Sequence, residues 1–341
     1  MKLKKSLLAL AAATTVSVFG TAYAEHFDDG QWKATDKALT GKTVAFVPIS
    51  MGFDLPQAWA AALQSDADKW GYKLVIRDPN WDVAAGAQAI TQLIAEKPDI
   101  LIFHPLDMTA YSKLVKKAGD AGITTVQINL KSLNTGDAYV GADWHDLLRQ
   151  ETEAAARFCG AGTGTSGKIA LLQGNPTTPT VVIGMGGVNE VLGKHPELKV
   201  VATQSADWDA TKAHDIVSTI LKQNEDLCAI VGFWDSQELG AAAAIKEAGK
   251  TGKVKLITNG AGRQAAACDN VANGSFDSYH SYNAKGQGRD LAAIVRMLLQ
   301  NKPEKPGAHP FAIYSKSKEI TKANLTPDAC WTIEDLKANG N

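Results

Sequence analysis

From Thr43 onward, short apolar runs rich in β-branched residues alternate with longer stretches whose apolar positions recur every three or four residues. The short runs have the length of buried strands and the longer ones the period of helices. Thr43 to Pro48, Tyr72 to Ile76, Ile100 to Phe103 and Thr124 to Asn129 read as strands. Between them Gln57 to Trp70, Val83 to Ala95 and Ala110 to Ala118 read as helices. Such alternation predicts an α/β fold with a parallel, doubly wound sheet.

The rhythm then repeats. Strands are expected at Lys168 to Leu172, Lys199 to Thr203, Ala229 to Phe233 and Val254 to Ile257, with helices around 182–192, 210–222 and 237–248. Two similar doubly wound lobes follow. Phe276 to Tyr282 and the helical Gly288 to Leu299 add one element more than a lobe of this size needs, which suggests that the chain crosses back to the first lobe. The expected partition is 40–143 plus 281–309 for the N-terminal lobe and 144–280 plus 310–341 for the C-terminal lobe. A chain of 341 residues also exceeds what one core usually supports.

Ahead of Thr40 the chain is polar and irregular, except at its start. Lys2, Lys4 and Lys5 precede an apolar run from Leu7 to Phe19, and Ala22-Tyr23-Ala24 supplies small residues for cleavage. Residues 1–24 therefore read as a secretory signal peptide, the run being too short and too interrupted for a membrane anchor. With 35 basic and 36 acidic side chains, there is no overall charge reason to expect a nucleic acid or an anionic membrane as partner. Four cysteines, Cys159, Cys228, Cys268 and Cys330, are widely spaced in a chain bound for an oxidising compartment. Three pairings are open. Cys268 with Cys330 is preferred because both fall late in the second lobe, and buried free thiols are the simplest reading of the other two.

In open α/β sheets, ligands sit beyond the carboxyl ends of the strands. The loops there carry Phe53-Asp54, Asp107, Asn129, Asn175, Trp208-Asp209, Trp234-Asp235 and Asn259. Sugars and polyols present C–H faces that stack on aromatic rings and hydroxyls that bond Asp or Asn. For Trp208 and Trp234 the alternative is plain core packing, but each stands beside an aspartate at a strand end.

Six segments carry a resemblance to a known family: A-D-K-W-G-Y at Ala67 to Tyr72, F-H-P-L-D at Phe103 to Asp107, V-G-A-D at Val140 to Asp143, L-L-Q-G at Leu171 to Gly174, A-D-W-D at Ala206 to Asp209, and F-W-D-S-Q-E-L-G-A at Phe233 to Ala241. In order and spacing the chain resembles the ribose-binding-protein family of periplasmic binding proteins, the type I binding fold that serves ABC importers. The resemblance implies two lobes joined by a three-strand hinge, closing around one ligand. Carried over by position, it implies ligand contacts from Phe53, Asp54, Asn129, Asn175, Trp208, Trp234, Asp235, Asn259 and His280, with Trp59, Asp107, Asp143 and Tyr279 as further candidates. Two departures stand out. Asn129-Leu130 replaces an Asp-Arg pair, and Thr177 to Gly187 lacks the family's second arginine. An acyclic polyol or a small modified sugar suits such a site better than ribose or a common hexose.

Other motifs resolve into structure. Gly162-x-x-x-x-Gly167-Lys168 precedes a strand and continues with Ile169, unlike a phosphate loop. Gly184, Gly186 and Gly187 fall inside a helix, where they favour close packing. The seven histidines show no metal-binding spacing, His104 is expected in the core or just behind the ligand contacts, and Asp66 and Asp68 are expected in solvent. No cofactor and no nucleophile elbow are indicated. The expected function is that of a periplasmic, monomeric, non-enzymatic component of an ABC importer that presents a small neutral carbohydrate or polyol to a membrane permease. The alternative is presentation to a chemoreceptor or sensor kinase.

Overall fold

The computed structural model describes residues 29–338, so the expected signal peptide lies outside the described residues. A short helix, α1 (Gln31–Leu39), leads into the body. The first lobe then alternates β1 (Thr43–Val47), α2 (Asp54–Trp70), β2 (Lys73–Ile76), α3 (Val83–Glu96), β3 (Ile100–Phe103), α4 (Ala110–Asp120), β4 (Thr124–Ile128) and β5 (Ala138–Ala142). The second alternates α5 (Trp144–Cys159), β6 (Lys168–Gln173), α6 (Pro179–Lys194), β7 (Lys199–Ser205), α7 (Ala210–Gln223), β8 (Ala229–Gly232), α8 (Asp235–Glu247), β9 (Lys255–Gly260), α9 (Cys268–Asn273) and β10 (Ser278–Ser281). The chain ends with α10 (Ala284–Gln300), β11 (Phe311–Ser315), β12 (Lys318–Ile320) and α11 (Ile333–Ala338).

Each lobe is built on a six-stranded sheet, ordered β11-β5-β4-β3-β1-β2 in the first and β12-β10-β9-β8-β6-β7 in the second. Every pairing is parallel except β10 with β12. β1, β3, β4, β8 and β9 are buried nearly throughout, as helices on both faces of a parallel sheet require. The edge strands β2 and β7 are more open.

The chain passes between the sheets three times: from β5 to α5, from β10 to α10, and from β11 to β12. The last passage corrects one expected boundary. The sequence pattern places residues from 310 onward in the second lobe, but Phe311–Ser315 pairs with β5 of the first sheet, Phe311 opposite Ala138 and Ser315 opposite Ala142. Its half-exposed pattern made it illegible as a buried strand. α10 packs against α2, and there a second correction arises. Asp66 is buried, ion-paired with Arg296 of α10 and bonded by the Tyr72 hydroxyl at 3.2 Å. The partner comes from a distant segment, invisible in the local pattern.

The α6 glycines serve the packing of α5 on α6. A Cβ on Gly187 would stand 2.0 Å from the His145 carbonyl oxygen. Both cysteine pairs are bonded, Cys268 with Cys330 and Cys159 with Cys228. The second pair corrects the expectation of free thiols. It ties the end of α5 to the residue just before β8, at the opposite end of the strands from the loops that carry the aromatics. Replacing both Cys159 and Cys228 with Ser is expected to lower stability by about 2–4 kcal/mol in urea unfolding. Unchanged stability would show that the link adds nothing to folding.

Candidate functional site

The strands of both sheets run into one narrow cleft between the lobes, with a cavity of about 50 Å³. The first lobe brings Ile49, Phe53, Leu55, Trp81, His104, Leu106, Asn129 and Leu130 to it. Trp144, Thr178, Thr180, Trp208, Phe233, Trp234 and Tyr282 complete the lining.

Four rings dominate. Phe53 is the last extended residue before α2, and its ring stacks on Trp81 at 5.2 Å. Trp234 holds the same position before α8. It meets Phe53 edge-on at 5.8 Å and lies 6.1 Å from both Trp81 and Trp208. Rings of the two lobes thus touch across the cleft. Trp208 needs room made for it. A Cβ on Gly174 would fall 2.2 Å from its indole, so only glycine fits at the end of β6. The Gln237 side chain accepts the Trp208 backbone N–H at 2.9 Å.

Asn129 ends β4 in the left-handed region, at φ 59°, and is buried. Its carbonyl accepts from the Tyr139 hydroxyl at 2.9 Å and from the Trp144 indole, and its side-chain oxygen accepts from Gln287 at 3.4 Å. The backbone is fixed so that the amide sits on the cleft wall. His104 lies behind the rings, edge-on to Trp59 at 4.9 Å. Burial lowers its pKa to about 3, so the imidazole is neutral, and its Nδ1 has no protein partner.

Several expected contacts are placed elsewhere, which corrects the list carried over from the resemblance. Asn259 and His280 are adjacent in the β9–β10 ladder and buried in the second lobe's core. Asn259 lies against Glu151, and His280 Nε2 is 3.2 Å from Ser278 Oγ. Both lie within their strands, below the rim where the strands end, and Tyr282, the first residue past β10, lines the cleft instead. Asn175 is spent on Asp207 at 3.0 Å and on Thr177. Asp107 caps α4 through the N–H groups of Thr109 and Ala110, and Asp143 caps α5. Trp59 is wholly buried core.

The two candidate aspartates flank the aromatic cluster without lining it. Asp54 pairs with Arg263, joining α2 of the first lobe to the loop after β9 of the second. Asp235 is buried, accepting from Tyr279 Oη at 2.8 Å and from the Ser236 N–H at 2.7 Å. Burial pushes its pKa up to about 6, against those hydrogen bonds, which favour the carboxylate. Glu238, one turn further along α8, is pushed by burial to about 8.

Sequence reasoning missed Trp81, Thr178, Thr180 and Tyr282. Trp81 had a signal: Asn80-Trp81-Asp82 copies the Asp207-Trp208-Asp209 pattern one lobe away.

The fold and this cleft define a two-lobed binding protein. The chain belongs to the ribose-binding-like, type I family of periplasmic binding proteins: the model for the periplasmic binding protein domain matches residues 44–303. The D-ribose/D-allose-binding protein of Pseudomonas aeruginosa is 29% identical over 183 residues, covering 52% of this chain and 56% of that one. The ribose import binding protein of Bacillus subtilis is 30% identical over 55% of this chain and 60% of its own length. The chain thus aligns with a little over half of each of these relatives. A putative rhizopine-binding protein of Rhizobium meliloti is 26% identical over 75% of this chain and 82% of that one. Among solved structures, an ABC transporter solute-binding protein of Agrobacterium vitis with bound D-fucose shares the fold at a TM-score of 0.73 and 21% identity, over 84% of this chain and 98% of that one.

The raised acid at Asp235 sets a pH dependence. Its folded pKa, about 6, exceeds the unfolded value of 3.8, so the native state binds more protons between these limits. Its contribution to stability therefore falls as pH rises from about 4 to 6, by on the order of 3 kcal/mol. In Asp235→Asn this part of the decline should vanish from thermal melts. An unchanged slope would locate the titration in another group.

Proposed function

We propose that the chain is the periplasmic solute-binding component of an ABC importer, capturing a small neutral carbohydrate or polyol between two closing lobes. The observation that carries this reading is the meeting of rings from both lobes, Phe53 and Trp81 against Trp208 and Trp234, around a cleft that, among the described residues, is lined by no charged side chain. Relatives named for ribose, allose and rhizopine support it. The protein acts as a monomer, exported by a signal peptide over residues 1–24, and its partner is a membrane permease.

The mechanism follows from the three passages of the chain. Open lobes admit the ligand, and rings on both sides then bury it. Closure is favoured by the ligand's extra contacts with the closed form. The Arg263–Asp54 pair spans the lobes. As a partly exposed pair it adds about 1 kcal/mol or less, so it biases the closed state without locking it.

Thermal-shift screening against pentoses, hexoses, tetritols, pentitols and hexitols identifies binders, since a ligand of the native state raises the melting temperature. With a binder in hand, Trp234→Ala is expected to weaken affinity more than tenfold in calorimetry while leaving the melting temperature of the free protein within a few degrees. Unchanged affinity would remove this cleft as the site.

A further inference from the structure

The loops that hold Trp81 and Trp208 are copies of one another. β2 and β7 occupy the same edge of their respective sheets, each beside the first strand of its lobe. The loop after each ends in Asn80-Trp81-Asp82 or Asp207-Trp208-Asp209, and the closing aspartate caps the following helix. In both loops the tryptophan and the residue before it are left-handed, with φ of 49° and 69° at Asn80 and Trp81 and of 55° and 65° at Asp207 and Trp208. Among the described residues these two are the only aromatic side chains on such a backbone. Bulky residues avoid this region, and strain of this kind persists where a site over-determines it. Trp81 is 39% exposed. Core packing alone does not explain its position.

The polar capacity of the cleft is small. A hexose buries several hydroxyls, each able to donate once and accept twice. Against them stand His104, Thr178, Thr180, the Tyr282 hydroxyl, the indole N–H groups of Trp81, Trp208 and Trp234, which only donate, and an Asn129 amide already shared with Gln287. Asp54 and Asp235 are committed to Arg263 and Tyr279. Each hydroxyl enclosed without a partner weakens binding about tenfold or more. The surrounding rings offer the opposite chemistry, broad faces for C–H and methyl groups.

We propose that Trp81 and Trp208, a matched pair from equivalent loops, are specificity-determining residues, and that the ligand is a neutral ring sugar poor in hydroxyls, deoxygenated or O-methylated. The inference rests on the solute-binding reading above and narrows it. Enclosing such a sugar leaves few hydroxyls unmatched, and its apolar substituents lie against the indoles. A fully hydroxylated hexose or an open-chain hexitol lacks that match. A charged ligand would be enclosed without a counter-charge on the lining.

The test is calorimetry with matched pairs: D-galactose with D-fucose, L-mannose with L-rhamnose, and D-glucose and D-xylose each with its methyl glycoside. In at least one pair the deoxygenated or methylated member is expected to bind tenfold more tightly or better. Trp81→Ala and Trp208→Ala should each weaken that binding more than tenfold, and Trp81→Phe by less. Trp81→Gly suits the left-handed backbone, so matching losses in the Gly and Ala variants, with unchanged thermal melts, separate loss of the ring from misfolding. A parent sugar or hexitol that binds as tightly as any analogue would overturn the inference, as would choline binding in place of all of them or unchanged affinity in Trp81→Ala. The first and the last of these leave the solute-binding reading standing. Absence of binding by every sugar, analogue and polyol would overturn that reading as well.

Discussion

A parallel sheet delivers the carboxyl end of every strand to the same edge, and this constraint governs the molecule. Most strands are followed by a helix that returns along the face of the sheet, with a loop alone carrying β4 to β5. Each turn from strand to helix therefore falls at one rim, where helix N-termini need capping and side chains emerge together. Two such sheets turned rim to rim make a cleft lined by loops and backed by rigid strands. Phe53 and Trp234 occupy the residue before a helix, and Trp81 and Trp208 precede the aspartate that caps one. The ring cluster is thus anchored by elements that would be there without it.

This is why so much of the fold was legible. Parallel strands buried on both faces give apolar runs that need no alternation, and the helices between them keep their period. β1, β3 and α3 fall almost where the pattern sets them. What escaped was whatever depends on distant chain: β11, whose partner lies far back in sequence; the acid at Asp66, neutralised from α10; and the bond between Cys159 and Cys228, which joins a helix end to a strand start.

The site was legible to the level of loops and not of side chains. The strand-end rule selects the correct loops, and Phe53, Asn129, Trp208 and Trp234 reach the cleft. Only residues at or beyond the strand ends reach the rim, so a transfer that lands one or two positions inside β9 or β10 falls in the core, as Asn259 and His280 do. Aspartates at strand ends carry a further ambiguity. Helix capping and ligand binding call for the same residue in the same place, and Asp107 and Asp143 are committed to capping.

The position of β11 has a consequence for how the molecule comes into being. The first sheet is completed by a strand near the end of the chain, and its helical layer by α10. Delivered amino end first, the chain cannot finish its first lobe until almost all of its length has emerged. Until then the edge of β5 that will receive β11 stays open. The second lobe, complete but for β12, is the better candidate to fold early and template the other, so the order of assembly runs against the order of synthesis.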